Sequence, residues 1–405
     1  MREIEAPFTS LNAEVELARQ QRLRETMRAL DAEALLILDP INIRYASGAT
    51  NMTPFSTRTP ARYLLLFAEG PAILFEYFGC EHLAAGLPTL DEVRNGRGLC
   101  YVSSGGDPKG QARAMAREIR HLVCDIDPAI ERLAIDRFPF AAVDALRAEG
   151  FVLDDADAIF SAARRTKLPG EILLLREALK RVAAAATDME ARIEPGRRET
   201  EIWAEFSRPF IAAGGEYMTT RLLQSGTRSF PYFQEAGARI TSAGDLICFD
   251  TDTNGFAGYC TDFSRTYLCG DVAASDEQQD LYAKARDQLD HNVALVGPGV
   301  EFRDIAEAAW KVPKAHQASR YYCVGHGLGM SGEYPNIPHR IEGETYPLQG
   351  AVEPGMVICI ESYIGSEKSG QGVKLEDQLL VLDNGVDRMS SIVPFDQRLQ
   401  RGRYV

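Results

Sequence analysis

Two aspartates two residues apart, Asp250 and Asp252, open the stretch Cys248-Phe249-Asp250-Thr251-Asp252-Thr253-Asn254-Gly255-Phe256-Ala257-Gly258-Tyr259-Cys260-Thr261-Asp262. Successive side chains of a strand alternate between its faces, so residues two apart aim their carboxylates together. Two like charges held that close need a cation. Gly255 and Gly258 permit a turn, and a hairpin centred on residue 257 sets Asp262 opposite Asp252, adding a third carboxylate. Taken by itself, an acidic hairpin reads equally well as a solvated surface turn.

Two other segments change that balance. Val324-Gly325-His326-Gly327-Leu328-Gly329 sets an imidazole in a glycine-rich turn, where small residues let ring and backbone approach another group closely. Val357-Ile358-Cys359-Ile360-Glu361 and Val373-Lys374-Leu375-Glu376-Asp377 each place a glutamate within an otherwise apolar strand, where an unpaired carboxylate is costly to bury. Together Asp250, Asp252, Asp262, His326, Glu361 and Glu376 make five carboxylates and one imidazole, the ligand set of two divalent metal ions that share bridging carboxylates. Such a set suits Fe, Mn, Zn and Co alike. Arg265, three residues after Asp262, either orients a ligand carboxylate or balances the acidic cluster, and the second role is the one expected.

These residues lie in the second half of a chain of 405 residues, a length that at roughly 150 residues per domain implies two domains or three. In the first half, Val15, Ala18, Leu23, Met27 and Leu30 have helical spacing. Ala34-Leu35-Leu36-Ile37-Leu38 reads as a short buried strand that Asp39-Pro40 ends. Further strands are expected at 63–68, 72–77 and 133–136 and helices at 109–124 and 139–149, an alternation that describes an α/β domain. No glycine-rich phosphate loop follows any of its strands. The run Arg164-Arg165-Thr166-Lys167-Leu168-Pro169-Gly170 carries a Pro-Gly boundary, so the domains are drawn at 1–165 and 166–405. In the second, helices are expected at 171–193, 198–213, 276–294 and 303–316, and strands at 219–225, 245–252 and 258–268, with strand and loop from 322 to 394. That pattern is α+β.

The order Asp, Asp, His, Glu, Glu, the His326-Gly327-Leu328-Gly329 run and Glu353-Pro354-Gly355-Met356 ahead of the first glutamate resemble the creatinase, prolidase and methionine aminopeptidase superfamily over about 171–390. The resemblance implies a "pita-bread" α+β catalytic domain behind a creatinase-like α/β N-terminal domain, and a homodimer. Two departures stand out. Peptidases of that family carry a Pro-His pair some twenty residues before the first metal aspartate, where this chain has Phe230-Pro231-Tyr232-Phe233-Gln234-Glu235. They also carry a histidine seven residues after the metal histidine, where this chain has Glu333. Of six histidines, His82, His121, His291 and His316 lie outside the motifs, and only His326 and His339 fall near them. That shortage argues against ordinary peptide hydrolysis.

Asp250-Thr251-Asp252 ahead of Asp262, the segment from Leu222-Leu223-Gln224-Ser225-Gly226 to Phe233-Gln234-Glu235, and Asp39-Pro40-Ile41-Asn42-Ile43-Arg44-Tyr45-Ala46 are similar to the peptidase-like dimethylsulfoniopropionate (DMSP) lyases of marine bacteria. The likeness runs through most of the chain. It implies metals that anchor the substrate carboxylate while an aspartate removes the α proton, so that dimethyl sulfide leaves and acrylate remains. In the lyase pattern that aspartate immediately precedes the glutamate matching Glu333; here the run is Ser331-Gly332-Glu333-Tyr334-Pro335, and Gly332 cannot abstract a proton. Glu333 and Tyr321 are the candidates for the role, the second lying five residues before His326, where the lyases also have a tyrosine. Tyr232 and Phe233 either line a pocket or fill the core, and His339 either reaches the site or lies in an exposed loop. The function expected is that of a dinuclear metal-dependent enzyme acting on a small, zwitterionic carboxylate. A metallohydrolase of C–N bonds is the alternative; a non-catalytic binding protein is disfavoured because all six ligands are present.

Acidic residues outnumber basic ones 58 to 44, a net charge of −14. Such a surface repels phosphate backbones and anionic headgroups, so neither nucleic acid nor a membrane is an expected partner. The eight cysteines form no CxxC pair and several fall in apolar runs, which points to buried thiols in a reducing compartment, the cytoplasm. Met1-Arg2-Glu3-Ile4-Glu5 has no apolar signal region and no window reaches 18 uncharged apolar residues, so neither a signal peptide nor a membrane span is expected.

Overall fold

Ala34–Ile37 is apolar at every position and buried at every position, as a strand covered on both faces must be. In the computed structural model, which describes residues 8–340 and 348–400, it lies inside a six-stranded mixed sheet. The order across that sheet is Glu92–Asn95, Ala72–Glu76, Tyr63–Phe67, Ala34–Ile37, Arg132–Ile135, Val152–Asp155. The outer strands Glu92–Asn95 and Val152–Asp155, not expected from the sequence, are largely exposed and polar, so no apolar periodicity marks them. The helix Pro108–Ile126 packs Ala112, Met115, Ala116, Ile119, Leu122 and Val123 into the core of this unit, one apolar face at helical spacing.

Asp39-Pro40 does end the strand, and it also begins a helix, Pro40–Ser47. The Asp39 carboxylate accepts hydrogen bonds from the Ile41 and Asn42 N–H groups, with Pro40 in the first turn and Gly48 at φ +73° closing the end. One residue pair thus punctuates two elements.

The chain divides into two compact units, Met1–Arg164 and Arg165–Val405. In the second, a five-stranded antiparallel sheet has the order Gly332–Pro338, Cys323–Leu328, Val357–Ser366, Gln371–Leu382, Gly385–Arg388. Two three-stranded antiparallel sheets accompany it, Ser264–Leu268 with Leu246–Asp250 and Leu223–Ser225, and Cys260–Thr261 with Thr253–Asn254 and Tyr217–Met218. The helix Asp276–Ala294 begins with a reciprocal Ser275/Gln278 cap. Its Leu281, Tyr282, Ala285 and Leu289 join Ile358, Ile360, Ile364, Val373, Leu375 and Leu379 of the long strands in one core. The helix expected over 303–316 is shorter, Phe302–Ala308. Pro313 bars the helical conformation just before it, and the chain resumes as a 3-10 turn, Lys314–Ser319. All eight cysteines are free thiols. Among the described residues no helix is long and apolar enough to cross a membrane.

Candidate metal centre

The acidic hairpin keeps one register on both sides of its break: Asp250 pairs with Ser264 on the longer ladder, and Thr253 with Thr261 and Asn254 with Cys260 on the shorter one. Both ladders are therefore centred on residue 257, within the 3-10 turn Phe256–Gly258. Asp252 lies where they part, at φ +35°, a left-handed conformation that aspartate tolerates better than most residues. There it leaves the ladder, and Thr220 Oγ1 donates to its Oδ2 at 2.8 Å.

His326 comes from a strand, Cys323–Leu328, rather than from a turn. Its neighbours still have to be small: a Cβ on Gly325 would meet the Cys359 carbonyl at 2.5 Å, and one on Gly327 the Tyr334 carbonyl at 2.3 Å. The glycines let the flanking strands close onto the histidine. Next to it, Glu361 and Glu376 stand directly opposite each other on the two long strands. His326 Nε2 lies 3.4 Å from Glu361 Oε1, 3.6 Å from Asp262 Oδ2 and 3.9 Å from Glu376 Oε1. Asp262, His326, Cys359 and Glu376 each offer a ligand atom within 4.8 Å of the others.

The cluster also holds a lysine to which the sequence assigned no role. Lys374, fully buried, brings its Nζ to 2.6 Å from Glu361 Oε2, 3.0 Å from Glu376 Oε2 and 3.4 Å from Asp250 Oδ2. Asp250 also accepts from the Tyr232 hydroxyl. The run Val373-Lys374-Leu375-Glu376 offered a signal, since an alternating strand puts Lys374 and Glu376 on one face.

One internal lysine and one histidine do not offset five carboxylates. Burial first, and then the charges of Glu376, Asp252 and Asp250, hold the Asp262 carboxyl well above the usual range. Burial and Glu361 do the same to Glu376, and burial with Asp250 pushes Asp252 up to about 6. Asp250 goes the other way: burial would raise it, but Lys374 and the hydrogen bonds from Tyr232 and Ser264 outweigh burial. Burial would lower His326, yet its contacts with Glu361 and the charge of Glu376 bring it up to about 9. A cluster that must hold protons to stay buried is one that divalent cations fit. Asp250 Oδ1 and Glu376 Oε1, buried and without a hydrogen-bond partner, are acceptors of the kind such an ion takes up.

Tyr232 and Tyr321 lie beside this cluster, with Lys374 Nζ 5.4 Å and 4.9 Å from their ring centres. Phe233 stacks on Tyr321 at 5.3 Å and is 55 % exposed, so it does not fill the core. Tyr322 and Tyr363 extend the same aromatic group. His339 is buried rather than in an exposed loop, and its Nε2 has no hydrogen-bond partner. Burial, then Arg320 and Lys311, push this imidazole down to about 4, so it is neutral. Glu333 is engaged elsewhere: Lys167 Nζ donates to its Oε2 at 2.8 Å and the Met330 N–H to its Oε1 at 3.0 Å.

Arg265 corrects an expectation. Instead of balancing the acidic cluster, its fully buried guanidinium donates to Asp377 Oδ1 at 3.0 Å and to the carbonyls of Ser264, Glu376, Ser390 and Val393. It fastens the C-terminal turn to the sheet, and Lys374 is the cation that meets the cluster.

The model of the metallopeptidase family M24 matches residues 174–383, and that of the creatinase/prolidase N-terminal domain matches residues 19–166. The chain is 35 % identical to "Dimethylsulfoniopropionate lyase DddP" of Roseobacter denitrificans and 32 % identical to that of Roseovarius nubinhibens, in each case over 94 % of this chain and 86 % of the relative. Among solved structures it is similar to an Xaa-Pro dipeptidase from Bacillus anthracis, with a TM-score of 0.76 at 20 % identity over 94 % of this chain and 99 % of that one. At that identity the likeness shows the fold: an α/β N-terminal domain ahead of a pita-bread α+β domain, as the sequence led one to expect.

Proposed function

The chain belongs to the metallopeptidase family M24, and on that premise we propose that it is a dinuclear metal-dependent lyase acting on a small zwitterionic carboxylate of the DMSP class. The observation that carries the proposal is the convergence of Asp262, His326, Glu361 and Glu376 on one buried point, with Asp250 and Asp252 beside it, in a chain whose 32–35 % relatives bear a lyase name. Two divalent ions held by these six residues would supply Lewis-acid stabilisation of the charge that develops on a bound substrate carboxylate.

The chain's own residues do the rest. The exposed faces of Phe233 and Tyr322, beside Tyr232, suit a methylated onium group, which aromatic faces attract. The reaction removes the proton α to the carboxylate, and the C–S bonding pair leaves with sulfur, giving dimethyl sulfide, acrylate and a proton. For the proton we favour Tyr321 over Glu333, whose two oxygens are engaged by Lys167 and Met330. Burial first and the Glu361 charge second keep the Tyr321 phenol protonated in the metal-free protein. Once the Glu361 charge is neutralised the second cause lapses, so the phenol more readily loses its own proton to solvent and stands as the phenolate that takes the α proton. His339, neutral and with its backbone N–H donating to the Tyr322 carbonyl at 3.3 Å, is assigned to substrate contact. We further propose that the enzyme is a homodimer, as the family resemblance implies.

Amide hydrolysis is the second reading; what favours it is the same donor set, which serves either chemistry. A paired assay separates the two. With Mn, Fe, Co or Zn restored, incubation with DMSP is expected to release dimethyl sulfide into the headspace, and incubation with Xaa-Pro dipeptides to release no proline. Proline without dimethyl sulfide would reverse the order.

A further inference from the structure

Every donor of the Lys374 ammonium is engaged. Its three ammonium donors meet Glu361 Oε2 at 2.6 Å, Ser264 Oγ at 2.6 Å and Glu376 Oε2 at 3.0 Å. Ser264 Oγ in turn donates to Glu376 Oε2 at 2.9 Å. The Lys374 backbone is clamped as well, its N–H donating to Thr266 Oγ1 at 3.0 Å and its carbonyl accepting from the same hydroxyl at 2.8 Å. The rings of Tyr321 and Tyr232 close the remaining side.

The two glutamates are divided in the same way. Each gives Oε2 to the ammonium and turns Oε1 toward His326, at 3.4 Å and 3.9 Å. The lysine thereby decides which oxygen of each glutamate is left for a metal. It also sets the charge: five carboxylates and one ammonium sum to four negative charges, which two divalent ions cancel, whereas without the ammonium the loaded centre keeps a negative charge that repels an incoming carboxylate.

We propose that Lys374 is the built-in counter-cation of this centre, a positioning residue that fixes the ligand oxygens of Glu361 and Glu376 and leaves the metal-loaded site neutral toward an anionic substrate carboxylate. It rests on the two-metal reading above. A lysine serving only to fill space would do neither.

The test uses the full-length protein with Lys374→Met and the charge-restoring pair Lys374→Met/Glu361→Gln. In EDTA, Lys374→Met is expected to melt at least ~5 °C below wild type, because a buried carboxylate pair loses its cation. The double variant, one charge of each sign fewer, should return to within ~2 °C of wild type. Saturating Mn²⁺ should raise the melting temperature of Lys374→Met by at least twice the wild-type increment, since the metal replaces the missing charge. In Co²⁺-loaded protein, half-saturation by acetate, read from the visible spectrum, should need about 10-fold more acetate in Lys374→Met, a change that a merely structural role would not produce. A wild-type melting temperature for Lys374→Met in EDTA overturns the proposal, and so does a double variant as unstable as the single one, or one that fails to fold alongside it. Equal acetate affinity overturns the charge-setting part. If wild-type protein takes up no Mn²⁺ or Co²⁺, the two-metal reading fails while the EDTA comparison still decides what Lys374 does.

Discussion

Glu361 and Glu376 face each other in register across adjacent antiparallel strands, both almost wholly buried. Like charges directly opposite on a sheet destabilise it, by up to about 1 kcal/mol when solvated and by more in a dry interior. In the metal-free protein the Lys374 ammonium between them and a proton held on Glu376 relieve that repulsion. Glu376→Gln keeps the shape but cannot ionise, so it stands in for the protonated carboxyl of the metal-free cluster. It is expected to leave metal-free protein at least as stable as wild type, and to make metal-saturated protein less stable than wild type. Thermal melts with EDTA and with excess Mn²⁺ check both halves, and a variant less stable in both conditions would show that the carboxylate is needed for packing alone.

Tyr321 and Glu333 compete for one role, and their surroundings separate them. Tyr321→Phe deletes only a hydroxyl beside Glu361, so it should leave metal content and melting temperature near wild type while lowering dimethyl sulfide release at least ~100-fold, the scale of a lost general acid or base. Turnover close to wild type in the phenylalanine variant would remove Tyr321 from the chemistry.

Lys167 and Glu333 form an ion pair with side chains only 2 % and 6 % exposed. The Glu333 carboxylate lies against Gly329, where an added Cβ would meet its Oε1 at 2.3 Å. Both features describe a brace that holds the Gly329–Ser331 bend after the His326 strand. Breaking such a buried pair costs roughly 3–5 kcal/mol, so Lys167→Met and Glu333→Gln should each lower stability in urea by an amount of that order. Their double variant should cost less than the sum of the two. Strict additivity would mean that the two side chains act separately.

Much of this centre was legible in the sequence because short-range geometry dictated it. The hairpin centred on residue 257 follows from the reach of a turn, whereas Asp252 joins the cluster from a break in the strand, at φ +35°, and not through the period of a strand. The likeness of the ligand order to a known family supplied the rest of the donor set. What was not legible came from distant segments or from local conformation. Nothing near Lys167 indicates that it pairs with Glu333, 166 positions on. Arg265 looked like a partner for neighbouring acids, yet its hydrogen bonds run to Ser390 and Val393 of a turn far along the chain. Lys374 stood in plain view beside Glu376, but a lysine in an apolar strand reads as an edge residue until the opposite strand is known to bring Glu361.

His339 supplies the pH dependence. Its imidazole is pushed down to about 4 by burial and by Arg320 and Lys311, against about 6.5 in an unfolded chain. Between those values the unfolded state binds the extra proton, so the His339 contribution to stability rises with pH from about 4 to about 6.5 and is lost as pH falls through that window, against the opposite contribution of Asp252, whose folded carboxyl is pushed up to about 6. His339→Gln, which cannot take up the proton, should flatten that limb, seen as a smaller change in urea midpoint between pH 4.5 and 6.5 than in wild type. An unchanged slope would place the acid sensitivity in other groups.

Phe233 is the last residue whose conformation and role pull apart. It holds φ +71°, a left-handed conformation that costs a residue bearing a Cβ roughly 1–2 kcal/mol, and its ring is 55 % exposed beside Tyr232, Tyr321 and Tyr322. Strain of that kind is kept where the side chain has a task. Phe233→Gly relieves the backbone but frees the unfolded chain, two effects of similar size and opposite sign, so its melting temperature should stay near wild type. Phe233→Ala keeps the Cβ and loses the ring contacts, and should be the less stable of the two by about 1 kcal/mol. Both variants should raise KM for DMSP several-fold, because each removes the same aromatic face from the substrate's onium group. An alanine variant more stable than the glycine variant would contradict the strain, and an unchanged KM in both would take Phe233 out of the binding wall.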